Sequence, residues 1–314
     1  MRLPGPHSAL VVWLSALLAG CSALPFGQGP QLGGQAAEPL ERDGRPLVIT
    51  GFTVSRSMAE AVACGRLQVE SLLAPGEEIH AHQPGDRERL WLGQADLVLV
   101  HGLGLQPWLP PLLDALPAVP TAEVTAGIQP VPIATGPRAG QPDPHAWMSP
   151  RQALVYVRNI RDAFIARDPA NASTYQSCAA RYSAELQRLD QRLRERLSSI
   201  PAARRLLVSC EDSLAYVAAD YNLETAYLWP SQAEPRVEPA RVAAIAAQVR
   251  ERRLPAVFCE STFDHSQQQK VARLSGARLL GTLYTDSLSG LDGLAPSYIE
   301  MLRHNADLIK RGLN

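Results

Sequence analysis

Four side chains able to hold a cation each follow a short apolar run. His80 comes after residues 68–72 and an Ala-Pro-Gly turn. His145 closes a long Pro/Gly-rich loop in Asp143-Pro-His-Ala-Trp147. Glu211 follows Arg205-Leu-Leu-Val-Ser-Cys210, and Asp286 follows residues 277–283 in Tyr284-Thr-Asp-Ser287. Two imidazoles and two carboxylates form a harder, more oxygen-rich set than the Cys/His sets of structural zinc. A carboxylate binding through both oxygens would raise the coordination number above four, which suits Mn(II) better than tetrahedral Zn(II). Taken singly, the same residues also fit other roles: a surface histidine at 80, a loop hydrogen-bonder at 145, and helix N-caps at 211 and 286. Asp143 and Glu260 flank these segments. Each can orient a histidine ligand through a hydrogen bond or serve as a cap or loop contact.

The elements that must position these groups alternate in type. Strands are expected over 47–52, 68–72, 97–101, 205–210, 225–228, 256–259 and 277–283, with helices over 86–93, 108–116, 238–252 and 265–274. That alternation argues for parallel sheets built from strand–helix–strand units. The middle of the chain breaks it, because residues 149–167 and 169–200 both read as helices with no strand between. A helix of about 30 residues spans about 45 Å and is expected to join two lobes without belonging to either core. The fold class is therefore α/β: an N-terminal lobe over 47–168, one long rigid connecting helix over 169–200, a C-terminal lobe over 201–314, and a site in the interlobe cleft. Ligands of open α/β sheets sit beyond the carboxyl ends of strands, and each half supplies two of the four candidates. The loop 121–145 is long enough to carry function.

Cys210 and Cys259 each end an expected strand and precede an acidic residue. On neighbouring strands about 4.8 Å apart they come within disulfide reach. A bond there would hold the backbone at Glu211; the alternative is two buried thiols. No C-x-x-C occurs, so the cysteines match no zinc-finger spacing.

Residues 8–20 form an apolar run too short to span a bilayer, ending in Leu18-Ala-Gly-Cys21. The run reads as an export signal over 1–21, and its end resembles a bacterial lipobox with Cys21 as the lipidated residue; the alternative is an ordinary cleaved signal. Residues 22–46 read as a flexible tether with a mean reach of about 25–30 Å. The body is thus expected in a periplasm, held to the plasma membrane by its N-terminal lipid alone. A net charge of −1 and 6% aromatics give no basis for nucleic-acid binding. The chain is expected to be monomeric.

Several segments occur in the order and spacing of a known family. They are Glu78-Ile-His80-Ala-His-Gln-Pro84, Gln94-Ala-Asp96-Leu-Val-Leu-Val-His-Gly102, Pro144-His-Ala-Trp-Met-Ser-Pro150, Leu207-Val-Ser-Cys-Glu211, Phe258-Cys-Glu-Ser261 and Leu283-Tyr-Thr-Asp-Ser-Leu288. Over residues 46–314 the chain resembles the cluster A-I (cluster 9) metal-binding receptor lipoproteins of ABC transporters, and within them it is most similar to the manganese-binding lipoproteins of cyanobacteria. The resemblance implies that His80, His145, Glu211 and Asp286 are the metal ligands. It also implies that the partners are an integral permease and its ATPase, and that the chain is not an enzyme. Zinc receptors of the family tend to carry a third histidine where this chain has Glu211, and often a His-rich acidic loop that is absent here. Mn(II) is therefore the expected cargo, with Zn(II) or Fe(II) as alternatives.

Two departures stand beside the motifs. His82 replaces a usual aromatic and is expected to face solvent. Asp212 adds a carboxylate next to Glu211, where it caps the following helix or strengthens the site. His101 ends a strand and is expected at the mouth of the site or behind a ligand. Rival functions are an exported metallohydrolase, which needs an open coordination position and a general base, and a surface adhesin. No nucleophile elbow or phosphate-binding glycine loop is present in the sequence.

Overall fold

The structure, a computed structural model, describes residues 37–230 and 236–314. Strands β1 (Leu47–Thr50), β2 (Gln68–Ser71), β3 (Leu97–Val100) and β4 (Thr121–Glu123) form a parallel sheet in the order β2-β1-β3-β4. Helices α1 (Thr53–Ala63), α2 (Asp86–Gln94) and α3 (Leu109–Asp114) link them. β1 is buried along its whole length, and its Leu-Val-Ile run suits a strand covered on both faces.

Two helices follow, α4 (Pro150–Arg167) and α5 (Ala172–Ser198), and then the second lobe. It contains β5 (Leu206–Glu211), α6 (Ala215–Tyr221), β6 (Glu224–Trp229), α7 (Pro239–Glu251), β7 (Ala256–Glu260), α8 (Ser266–Ser275), β8 (Arg278–Leu283) and α9 (Tyr298–Leu313). β5 pairs with β6 and β7 with β8, both parallel. β5 and β7 lie side by side, where a Cys210–Cys259 disulfide holds their Cα atoms 4.8 Å apart.

Helix α5, with its 27 residues, is about 40 Å long. It joins the lobes as expected, but it is not a strut outside the cores. Tyr175, Tyr182, Leu186, Leu189, Leu193 and Leu197 form a buried stripe at spacings of three, four and seven. The first half packs on α1 and the second on α6 and α9, so one apolar core runs through both lobes. A second disulfide, Cys64–Cys178, fixes the end of α1 to α5 across a separation of 114 residues.

Three helices come in addition to those expected, α1, α6 and α9. The signals for α1 and α9 are legible: Val54, Met58 and Val62 on one face of α1, and a Ser297-x-x-Glu300 start to α9, where Ser297 Oγ accepts from the Glu300 amide. The loop 121–145 contains the short edge strand β4 and a turn back bridged at Pro132 and Pro142. The export signal expected over residues 1–21 lies outside the described residues. The flexible tether expected over 22–46 is described from residue 37 onward, and there it lies on the body. Trp91 Nε1 donates to the Glu38 carbonyl at 3.1 Å, the Leu40 amide donates to Gln94 Oε1 at 3.0 Å, and Arg42 pairs with Asp96 at 2.7 Å. Among the described residues no helix is long and apolar enough to cross a membrane.

Each lobe sends one segment across to the other. From the first lobe, residues 128–143 reach the second: the Val131 amide donates to Tyr216 Oη at 3.2 Å, Tyr216 Oη donates to the Asp143 carbonyl at 2.9 Å, and Thr135 bonds Tyr227 Oη at 2.6 Å. From the second lobe, residues 285–298 return. Trp147 Nε1 donates to the Thr285 carbonyl at 2.9 Å, the Leu288 amide to Thr53 Oγ1 at 2.9 Å, and the Tyr298 amide to Ser57 Oγ at 3.1 Å.

Candidate metal centre

The four candidate ligands come from four separate segments, two of them at or just past the carboxyl ends of β5 and β8 and two on loops of the first lobe. His80 lies on the loop between β2 and α2. That loop is clasped by Glu78, whose carboxylate accepts from the amides of His80 at 2.7 Å and Ala81 at 2.6 Å. Trp108 Nε1 donates to the Ile79 carbonyl at 2.8 Å from beneath. His145 follows the 128–143 segment and opens a 3-10 turn leading into α4. Glu211 is the last residue of β5, and Asp286 stands three residues past β8.

The four converge. His80 Nε2 lies 3.5 Å from Glu211 Oε1 and 3.6 Å from Asp286 Oδ2. His145 Nε2 lies 3.9 Å from Glu211 Oε2 and 3.6 Å from Asp286 Oδ1. Four donors at about 2.1–2.2 Å from a common cation stand about 3.5 Å apart in a tetrahedral arrangement, so these spacings fit an ion between them. Every member is at most 5% exposed, and His80 Nε2, His145 Nε2 and Asp286 Oδ1 are buried without a hydrogen bond of good geometry. Buried polar atoms of that kind need a partner. None of the four is a surface or capping residue.

Asp143 behaves as an orienting residue. Its Oδ1 accepts from the His145 amide and from Nδ1, both at 2.8 Å, which leaves the Nε2 lone pair facing the cluster. Glu260 does something else. It accepts from the amides of Cys210 at 3.0 Å and Glu211 at 3.4 Å, and from Ser213 Oγ at 3.3 Å, so it steadies the strand end that carries Glu211 and bonds no histidine of the cluster. Burial, then the Glu211 charge, pushes its carboxyl up to about 8.

Two expectations change, at His82 and Asp212, and for His101 the structure selects the place behind a ligand. His82 does not face solvent; it is half-buried, with its ring 4.9 Å from Trp108 and Nε2 3.6 Å from Glu88, turned away from the cluster. His101 is not at the mouth; it is buried among Phe52, Trp147 and Tyr156. Burial pushes it down to about 3, so it is neutral, and Nε2 donates to the Pro144 carbonyl at 2.9 Å beside His145. Asp212 does not cap α6, because the N-cap residue of that helix is Leu214 and no side-chain cap hydrogen bond is made there. Burial and then the nearby charge of Asp143 raise it to about 6. The sequence reading passed over Glu78 and Trp108, although Glu78 lies inside the quoted His80 motif.

The cation-free cluster stores protons. Burial opposes a charge on His145, but Asp143, then Glu211 and Asp286, raise it to about 10. His80 is raised too, against burial, by Glu211 and Asp286. Burial also opposes the charge on Asp286, and the two histidines hold it below the usual carboxylate range. The raised histidines stabilise the cation-free fold fully below about pH 6.5, and that contribution is lost as pH climbs through the folded values. A cation needs neutral imidazoles, so loading at pH 6.5 should expel about two protons, and affinity should rise about tenfold per proton for each pH unit. Calorimetry in buffers of different ionisation enthalpy measures this; pH-independent binding would contradict it. Asp143→Asn should weaken cation binding about 10- to 100-fold, read by competition with a fluorescent chelator.

A two-lobed α/β body, with two imidazoles from one lobe and two carboxylates from the other, defines the class: a binding protein that encloses a small cation. The chain belongs to the family described as zinc-uptake complex component A, periplasmic (ZnuA), whose model matches residues 48–312. It is 43% identical over 265 residues to the iron-binding protein YfeA of Yersinia pestis, covering 84% of this chain and 85% of that one. It is 30% identical over 309 residues to the manganese-binding lipoprotein MntA of Halalkalibacterium halodurans, covering 98% of both. The Mn-bound periplasmic metal-binding protein of Candidatus Liberibacter asiaticus matches with a TM-score of 0.78 and 30% identity, over 86% of this chain and all of that one. A further relative carries the class in its name: the manganese ABC transporter substrate-binding lipoprotein PsaA of Streptococcus pneumoniae, 26% identical over 274 residues and covering 85% of this chain and 88% of that one. With the family match, this makes the chain a metal-binding substrate-binding protein of the ABC-transporter type.

Proposed function

We propose that this chain is the receptor that captures Mn(II) for import by an ABC permease and its ATPase, with His80, His145, Glu211 and Asp286 as the ligands. The observation that carries the reading is the 3.5–3.9 Å spacing of donors from both lobes around one buried point. Two carboxylates supply up to four oxygens, the hard set that Mn(II) favours. An N-terminal lipid on Cys21 holds the receptor at the outer face of the plasma membrane, in keeping with the lipoprotein relative. Fe(II) is the second reading, supported by the iron-binding relative at 43% identity.

Divalent affinities at nitrogen and oxygen donors follow an order in which Zn(II) outranks Mn(II). The purified protein should therefore bind Zn(II) at least as tightly as Mn(II). Competition titrations of Mn(II), Fe(II) and Zn(II), beside elemental analysis of protein from its native compartment, test the assignment. A large equilibrium preference for Mn(II) would overturn the ordering. Protein carrying no transition metal in its native compartment would overturn the function.

A further inference from the structure

A cleft of about 430 Å³ opens between the loop leading to His80 and the segment leaving Asp286. Leu72, Leu73, Pro75 and Trp91 line one wall and Leu288 and Leu291 the other, with the charged Arg56, Glu60, Glu70 and Arg87 among them. At the lip Leu291 is 90% exposed and Leu294 68% exposed, more than any other large apolar side chain among the described residues. They sit on a shaped turn: the Gly293 amide donates to the Gly290 carbonyl at 2.9 Å, and the Ser289 amide to the Ala295 carbonyl at 2.9 Å. Paired exposed leucines on a fixed turn beside a cleft of mixed apolar and charged lining mark a contact surface more than a solvated loop.

Three observations select the occupant. Trp91, in the cleft wall, also bonds Glu38, so the chain enters the body from its N-terminal side on this face, which an N-terminal anchor would hold toward the membrane. The arginines at the rim are already paired, Arg56 with Glu60 at 3.0 Å and Arg87 with Glu88 at 2.7 Å, which leaves little attraction for anionic headgroups. The two walls carry the two ligand loops, and they are joined where the Gly76 amide donates to Ser287 Oγ at 2.7 Å, next to Asp286.

We propose that this cleft receives an apolar-tipped external segment of the integral permease, and that its entry parts the His80 loop from the Asp286 segment and releases the cation. The inference rests on the receptor reading above. A cage this enclosed holds its ion until something opens it, and burying the leucines and the cleft wall against a partner supplies the free energy to do so.

The test uses the full chain in its source cells. A Leu291→Asp/Leu294→Asp double variant should keep its solution affinity for Mn(II) within about twofold, yet support about tenfold less uptake of radioactive Mn(II), the effect of losing central apolar contacts. A photo-crosslinker at position 291 should attach to a multi-spanning membrane protein. Ser287→Ala should speed Mn(II) release from the isolated protein severalfold. Undiminished uptake by the double variant overturns the proposal, as does crosslinking confined to lipid or to residues 22–36 of the chain itself. Unchanged release from Ser287→Ala overturns the wedge. If the parent binds Mn(II) but supports no uptake, the receptor reading itself falls.

Discussion

Glu211→Ala should bind Mn(II) at least about a hundredfold more weakly than the parent, because a tight site of total strength about 10–16 kcal/mol shared among four ligands loses about 3 kcal/mol or more with one of them. Glu211 faces both histidines, at 3.5 Å and 3.9 Å, so its removal takes away the one carboxylate that stands against both imidazoles. The variant should still fold. Glu211 helps to raise His80 and His145, so without it the two imidazoles can stand neutral in the buried cage and leave no uncompensated charge there. Chelator competition reads the affinity, and circular dichroism reads the fold. A folded variant with parental affinity would remove Glu211 from the ligand set.

The Cys210–Cys259 bond is the second place where a single change should matter greatly. Closing a separation of 49 residues is worth about 4 kcal/mol by loop entropy. The bond also joins the two strand ends that carry Glu211 and Glu260, and Glu260 in turn accepts from the amides at 210 and 211. Replacing both cysteines by alanine should lower the melting midpoint by several degrees or more and shorten the residence time of Mn(II). The same replacement at Cys64 and Cys178 should cost comparable stability but leave residence time unchanged, because that bond ties α1 to α5 far from the ligands in the chain. Equal effects of the two pairs on residence time would refute a local link between the first disulfide and the cage.

The sequence was most readable where period and chemistry coincided. Apolar runs marked the strands, so the parallel α/β architecture was legible in the pattern. The four converging groups were instead named by the family motifs, because the runs alone left each of them open to an ordinary loop or capping role. The long helix was visible as a run without a strand, but its burial was not. Its buried stripe of Tyr175, Tyr182, Leu186 and Leu189 needed two lobes to cover it, and their placement is a tertiary fact. The Cys64–Cys178 bond was hidden for the same reason, since neither residue adjoins a chemical motif. His82 and Asp212 were misjudged because a polar residue beside a ligand looks exposed or capping until packing is known. Trp108 covers the one, and Asp143 crowds the other.

The straps exchanged between the lobes bear on how a loaded molecule differs from an empty one. With residues 128–143 and 285–298 each fastened to the opposite half, and a 27-residue rod serving both interiors, the outline of the body has little freedom to swing like a jaw. Occupancy is then expected to show less in the outline of the body than in the stiffness of the short loops around the cage.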